Sequence, residues 1–193
     1  DLPRLADAVS PVLGRRPTFA VLKGRANYVC LQRLHDGAPD DQESLFEPAA
    51  TSGPGAGEGR FAADVTRLRD WADGTETGDR LELVPGVDDR VWRAHSVTSR
   101  VCVGAQRCPY GEDCFAEKAR EKARDSDVVV TNHALLAIGG IEGIPVLPEH
   151  DVVVVDEAHE LVDRVTSAAT VELTPAALER ATRRARRLLD DDT

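Results

Sequence analysis

The chain predicts an α/β fold with a parallel sheet, and three features carry that prediction. Val152–Val155 is an unbroken β-branched run, the pattern of a strand buried on both faces of a parallel sheet. Asp127–Thr131 is a second valine-rich run, and Asn132-His133-Ala134-Leu135-Leu136 begins a helix directly after it. The run at 152–155 then ends in two carboxylates, Asp156 and Glu157, placing acids where open α/β sheets bind ligands, at the C-terminal edge.

Each further element has its own signal. Leu5, Val9 and Val12 recur at helical spacing over Leu2–Leu13, and Thr18–Leu22 reads as a short strand. Asp36–Gly59 is rich in Pro, Gly, Ser and acids; such composition buries too little apolar surface to order itself and predicts a flexible loop. Glu58–Ala72 places Phe61, Val65, Leu68 and Trp71 on one helical face, and Cys114–Asp125 is a second, highly charged helix; both apolar stripes read as core-facing. Gly139, Gly140 and Pro145 fall in the connection to strand 151–155. At the tail, Thr174 is an N-cap and Pro175 the first residue of a helix running to about Leu189, with Arg180, Arg183, Arg184, Arg186 and Arg187 giving it a basic surface.

The 193 residues suffice for one substantial domain with a sizeable insertion. The chain begins at Asp1 and contains no methionine, the mark of an internal or processed piece of a longer protein. No apolar run approaches membrane-spanning length and no charged-then-apolar leader begins it, so a cytoplasmic setting without membrane contact is expected.

The net charge of −10 argues against nucleic acid as a partner, but its distribution does not. Arg15, Arg16, Lys23, Arg25 and Arg33 occur in an acid-free stretch, as do Arg90, Arg93, Arg100 and Arg107, while the acids crowd into 36–58. Charge segregated in this way permits a local phosphate-binding track; a merely solvated face is the alternative.

The tetrad Asp156-Glu157-Ala158-His159 has the residue order that nucleotide hydrolysis requires. The first carboxylate at a strand end holds Mg²⁺ against the β- and γ-phosphates, and a neighbouring group positions the attacking water. Asp156 is accordingly the magnesium residue and Glu157 the base, with His159 one turn on, near the γ-phosphate. An acidic cap on a helix start would use the same first two residues. The glycine-rich run Gly53–Gly59 is no phosphate loop, because no strand precedes it and no Gly-Lys-Ser/Thr follows; Lys23, Lys118 and Lys122 all lie elsewhere.

The only cysteines are Cys30, Cys102, Cys108 and Cys114. Without an export signal they are not expected to pair as disulfides, and three within loop-like sequence around Pro109, Tyr110 and Gly111 make poor packing material. Metal ligation is the better account. Zinc and an iron–sulfur cluster both accept four thiolates. Zinc sites favour ligand pairs two to four residues apart, and spacings of five suit the larger cluster, so spacing alone leaves both open.

With Leu22-Lys23-Gly24-Arg25-Ala26-Asn27-Tyr28-Val29-Cys30, the Cys102/Cys108/Cys114 triplet, Val130–Leu136 and Asp156-Glu157-Ala158-His159 in that order, the chain closely resembles the DinG-type branch of the XPD-like superfamily 2 DNA helicases. The resemblance spans nearly the whole chain. It implies a partial RecA-like P-loop NTPase motor domain, interrupted by a mainly helical four-cysteine [4Fe-4S] domain and followed by the start of an arch domain. Residues 1–23 and 126–162 then belong to the motor, 24–125 to the cluster domain, and 163–193 to the arch. It further implies ATP-driven 5′-to-3′ movement on single-stranded or forked DNA, with Mg²⁺ and ATP at the DEAH box and His159 coupling nucleotide state to the motor. The four cysteines become cluster ligands, with Arg25 beside the cluster and near DNA. Asn132 and His133 support the sheet edge next to the ATP site, or Asn132 is an ordinary N-cap. The Walker A loop, the rest of the arch and the second motor domain do not occur in these residues, which predicts no ATP turnover by the piece alone.

One cluster held by all four cysteines would draw the basic stretches 15–33 and 90–107 together into a groove, with Arg25, Arg100 and Arg107 on phosphates and Tyr28, Tyr110 and Phe115 under bases. Pairing of these arginines with the acidic loop 36–58 is the competing outcome. Two other functions compete with the helicase reading: a zinc-stapled, non-catalytic nucleic-acid-binding module, and an interaction protein built on the arginine-rich tail.

Overall fold

A computed structural model describes residues 2–37, 56–142, 146–170, 173–175, 178, 179, 181 and 182. Most of the loop predicted over 36–59, and the arginines Arg180, Arg183, Arg184, Arg186 and Arg187 of the predicted tail helix, lie outside the described residues. The start of that helix is described, and Leu178 N–H donates to Thr174 O at 3.0 Å.

Helix α1 (Leu2–Leu13) forms as its periodicity predicts, yet its stripe faces outward, with Leu5 62%, Val9 40% and Val12 87% exposed. Strands β1 (Phe19–Val21) and β2 (Val128–Val130) pair in parallel, Phe19 opposite Val128 and Val21 opposite Val130. The ladder extends at both ends through Val128 N–H to Thr18 O and Leu22 N–H to Val130 O. A parallel pair requires a crossover, and here the crossover is everything from Lys23 to Asp127. Its two ends are tied by Asp127, whose carboxylate accepts from Arg15 at 2.5 and 2.6 Å and from the backbone and hydroxyl of Thr18.

The crossover builds a core of its own. After a 3₁₀ turn at Arg25–Asn27 come α2 (Leu31–Asp36), α3 (Ala56–Ala72), a second 3₁₀ turn at Arg80–Glu82, α4 (Asp89–Ala94) and α5 (Phe115–Arg124). α3 begins two residues before the predicted start, inside the stretch read as loop. Tyr28, Val29, Leu34, Leu68, Val91, Trp92 and Phe115 are buried together. Trp92 donates its indole N–H to Ala26 O at 2.8 Å, and Arg80 lies over its ring. Gly78, at φ +62°, allows Phe115 to pack directly on the backbone; a Cβ there would stand 2.4 Å from the ring. A second, smaller core under the strands joins Ala20, Leu22, Ala123 and Leu135. Ala119 packs against both, so α5 runs from one core into the other.

Beyond β2, Asn132 caps α6 (His133–Glu142), its side chain accepting from Leu135 N–H at 2.9 Å. α6 packs against α7 (Leu161–Ala169), which a 3₁₀ turn at Ala158–Glu160 introduces. The valine run does not form the predicted strand: residues 152–155 lie outside the two-stranded sheet, with Val152 78% and Val154 90% exposed. A β-branched run becomes a buried strand only where a neighbouring strand and covering layers are supplied, and among the described residues none flank this one. The architecture is therefore mixed helix with a small parallel sheet, in keeping with the α/β prediction.

Candidate functional site: a carboxylate turn and a cysteine neighbourhood

The tetrad sits on the turn between the valine run and α7. Although its strand is missing, Asp156 still reaches the C-terminal end of β2, because its carbonyl accepts from His133 Nε2 at 2.8 Å and His133 follows β2 by three residues. The Asp156 carboxylate accepts from Glu157 N–H at 3.0 Å through Oδ1. Glu157 is left-handed, φ +47°, ψ +46°, a conformation that costs a non-glycine residue of order 1–3 kcal/mol and concentrates at functional sites. Its Oε2 lies 3.4 Å from His159 Nδ1, both side chains being largely exposed. Two accessible carboxylates on consecutive residues, with Asp156 Oδ1 bonded to Glu157 N–H and Glu157 Oε2 facing His159 among the described residues, form a hard-oxygen donor set of the kind Mg²⁺ takes. Thr131 Oγ1, one residue beyond the end of β2, is buried without a hydrogen-bond partner among the described residues.

The cysteines approach one another from three places. Cys30 precedes α2 and is anchored through its N–H to His95 O at 2.8 Å; Cys114 precedes α5; Cys102 and Cys108 occupy the loop between α4 and α5. That loop is tightly folded, since a Cβ on Gly111 would fall 2.1 Å from Ala105 O. All four thiols are half-buried and free. Burial pushes the Cys30 thiol up, the backbone N–H groups of Arg33 and Gln32 oppose it, and the charges of Cys102 and Cys108 push it further. Gly104 N–H lies 3.4 Å from Cys102 Sγ, and Cys108 Sγ lies 3.9 Å from Gln32 Oε1.

Two cations face the same thiols. Burial disfavours the charge on Arg25, but a hydrogen bond to Glu117 and the fields of Cys102, Glu117 and Cys114 outweigh it and raise its pKa. Arg120, held down by burial and by Arg25, feels the same two thiols and lies 3.5 Å from Glu117. No group of three or more His, Cys, Asp or Glu side chains that could hold a metal ion occurs among the described residues. A single zinc ion needs thiolates at about 2.3 Å from one centre. Of the four half-buried thiols, Cys102 and Cys114 face the two guanidiniums, and four thiolates are a donor set that either zinc or an iron–sulfur cluster accepts.

The expected DNA track is altered by the fold. Arg25 is bound to Glu117, with only 9% of its side chain exposed. Tyr28 and Phe115 are core residues, 4% and 8% exposed, and cannot lie under bases; Tyr28 accepts instead from Lys23 N–H. Lys23 pairs with Asp79, Arg16 with Asp7 and Arg90 with Asp88, so much of the positive charge is spent on acids of the fold rather than gathered into a groove. The side chains of Arg100 and Arg107 are exposed to solvent. Tyr110 stacks on His35 at 5.3 Å and donates to Asp36 at 3.2 Å. Sequence reasoning did not single out Glu117, Arg120 or the His133–Asp156 contact. Only the charge alternation on α5 hinted at the first two.

No family model matches the chain. It is 52% identical over 98% of its length to the ATP-dependent helicase DinG of Mycobacterium tuberculosis, of which it covers 29%. It is 38% identical over 84% of its length to the ATP-dependent DNA helicase YoaA of Escherichia coli and 32% identical over 83% to the ATP-dependent DNA helicase DinG of Photobacterium profundum, covering 24% and 23% of those proteins. The chain thus spans under a third of the length of these curated relatives.

Proposed function

The chain belongs to the DinG-type helicases, and from that membership we propose that the protein containing it is an ATP-dependent DNA helicase moving 5′ to 3′ along single-stranded DNA in the cytoplasm. The observation that carries the site assignment is the pair of accessible carboxylates Asp156 and Glu157 at the C-terminal end of β2.

In this reading Asp156 holds Mg²⁺, which when bound neutralises charge on the nucleotide phosphates. Glu157 orients a water and takes its proton. The left-handed turn presents its carboxylate outward, toward His159, which couples nucleotide state to the motor. ATP hydrolysis also requires a phosphate-cradling Gly-Lys-Ser/Thr loop, a sequence these 193 residues do not contain, so the isolated chain is inactive.

Cys30, Cys102, Cys108 and Cys114 hold a [4Fe-4S] cluster with a structural role: it fastens α2, the 102–108 loop and α5 to one another. Arg25 and Arg120 balance its charge from within the fold. Single-stranded DNA passes over the exposed side of this region, where Arg100, Arg107 and the Tyr110–His35 stack are accessible. The deciding experiment is ATP hydrolysis by the full-length protein with and without single-stranded DNA, in the wild type and in Glu157→Gln. DNA-stimulated hydrolysis that the variant lacks supports the reading, and hydrolysis at wild-type rate in the variant removes Glu157 from the role of base.

A further inference from the structure

We propose that His133 is a positioning residue for the two carboxylates, holding the peptide between Asp156 and Glu157 in the one orientation that keeps Glu157 left-handed. His133 is the first residue of α6, and its ring crosses to the tetrad turn from 23 residues away in sequence. A carbonyl oxygen only accepts, so the 2.8 Å contact with Asp156 O requires the proton on Nε2 and fixes the tautomer.

Both polar groups of that peptide are thereby engaged. Its C=O accepts a hydrogen bond from His133 Nε2–H, and its N–H donates to Asp156 Oδ1 at 3.0 Å. On the far side of Glu157, the Glu160 N–H donates to Glu157 O at 2.8 Å. Glu157 is therefore gripped before and after its Cα, and the grip maintains φ +47°, which an unrestrained glutamate abandons. Release of the His133 bond frees the 156–157 peptide to rotate, carrying Glu157 into the right-handed region and its carboxylate away from where Asp156 leaves it. His133 touches neither water nor nucleotide in this scheme; it acts through the backbone. Because α6 begins directly beyond β2, the same bond ties the carboxylate turn to the strand whose Val130 O accepts from Leu22 N–H, at the base of the cysteine-bearing crossover.

The proposal rests on the assignment of Asp156 and Glu157 above, and the test separates the two. In the full-length protein, His133→Ala and His133→Phe are assayed for DNA-stimulated hydrolysis of Mg·ATP beside Glu157→Gln and His133→Gln. Misplacement of a reacting group by about 1 Å costs on the order of 10²-fold, so both the alanine and the phenylalanine variants are expected to lose about that much kcat with KM for ATP changed far less. The glutamine variant, whose amide N–H reaches the same carbonyl, is expected to recover most of it. Wild-type kcat in the phenylalanine variant, which keeps ring volume without a donor, overturns the proposal by assigning His133 to packing. So does failure of glutamine to exceed alanine. If His133→Phe is active while Glu157→Gln is dead, the positioning role alone falls; if Glu157→Gln is active, the assignment of the base falls first and the positioning role with it.

Discussion

Arg25 and Glu117, 92 positions apart in sequence, form an ion pair on the inner side of the cysteine neighbourhood, and the pair joins the turn before Cys30 to the helix after Cys114. Arg120 completes it from the next turn of α5. The pair therefore links the two ends of the cysteine-bearing segment independently of any metal.

Arg25→Ala leaves Glu117 half-buried without its main partner and removes a cation facing Cys102 and Cys114. Hydrogen bonds to charged groups contribute about 1.5–3 kcal/mol, so the variant is expected to lower the thermal midpoint and to bleach the cluster's visible absorption faster in air. Unchanged absorption and midpoint would assign Arg25 to the surface after all.

Protein purified without oxygen is expected to be brown, with roughly four irons and matching sulfide per chain. Cys108→Ser should lose most of both. Stoichiometric zinc with no labile sulfide would establish the zinc-stapled alternative.

Asp127 gives a pH dependence whose sign follows from its depressed pKa. Hydrogen bonds from Arg15 and Thr18 hold the carboxyl well below the usual carboxylate range. A group with a lowered folded pKa contributes stability that is complete above its unfolded value and is lost as pH falls through the folded one. The difference in thermal midpoint between wild type and Asp127→Asn should be full at neutral pH and shrink below about pH 4. A difference constant across that range would mean that Asp127 is not bound as a charge.

On the DNA side, Arg107→Ala and Tyr110→Ala separate charge from stacking. The arginine variant should make log K less steep in log salt by about 0.7 for one lost single-strand phosphate contact, whereas the tyrosine variant should weaken binding by about 1–3 kcal/mol with the slope intact. Equal slopes and equal affinities in both would move the DNA path off this face.

Local periodicity made α1, α3, α5, both short strands and the Asn132 cap legible in the sequence, because each depends on neighbours within a few residues. Val152–Val155 differs from its predicted strand because β-propensity describes how a residue fits a sheet, not whether one is present, and these valines have no flanking strand among the described residues. Tyr28 and Phe115 were misplaced for a related reason. An aromatic beside a cysteine is equally suited to a base and to a core, and Leu68, Val91 and Trp92 supply the core. Phe115 does head an apolar stripe with Ala116, Ala119 and Ala123, a signal for burial that its position next to Cys114 obscured. The Arg25–Glu117 and His133–Asp156 contacts are long-range pairings that only folding reveals.

Helix α5 belongs to two cores at once, with Phe115 and Ala116 in one, Ala123 in the other and Ala119 touching both. A helix shared in this way couples the packing of the two regions, so the cysteine region and the parallel strands are expected to open as one cooperative unit. Amide hydrogens of Val128–Val130, although remote from Cys114, would then exchange with solvent at a rate set by whether the cap of α5 is ligated. If the cysteines hold the proposed cluster, slow backbone exchange in the sheet is expected to report oxidative damage to them.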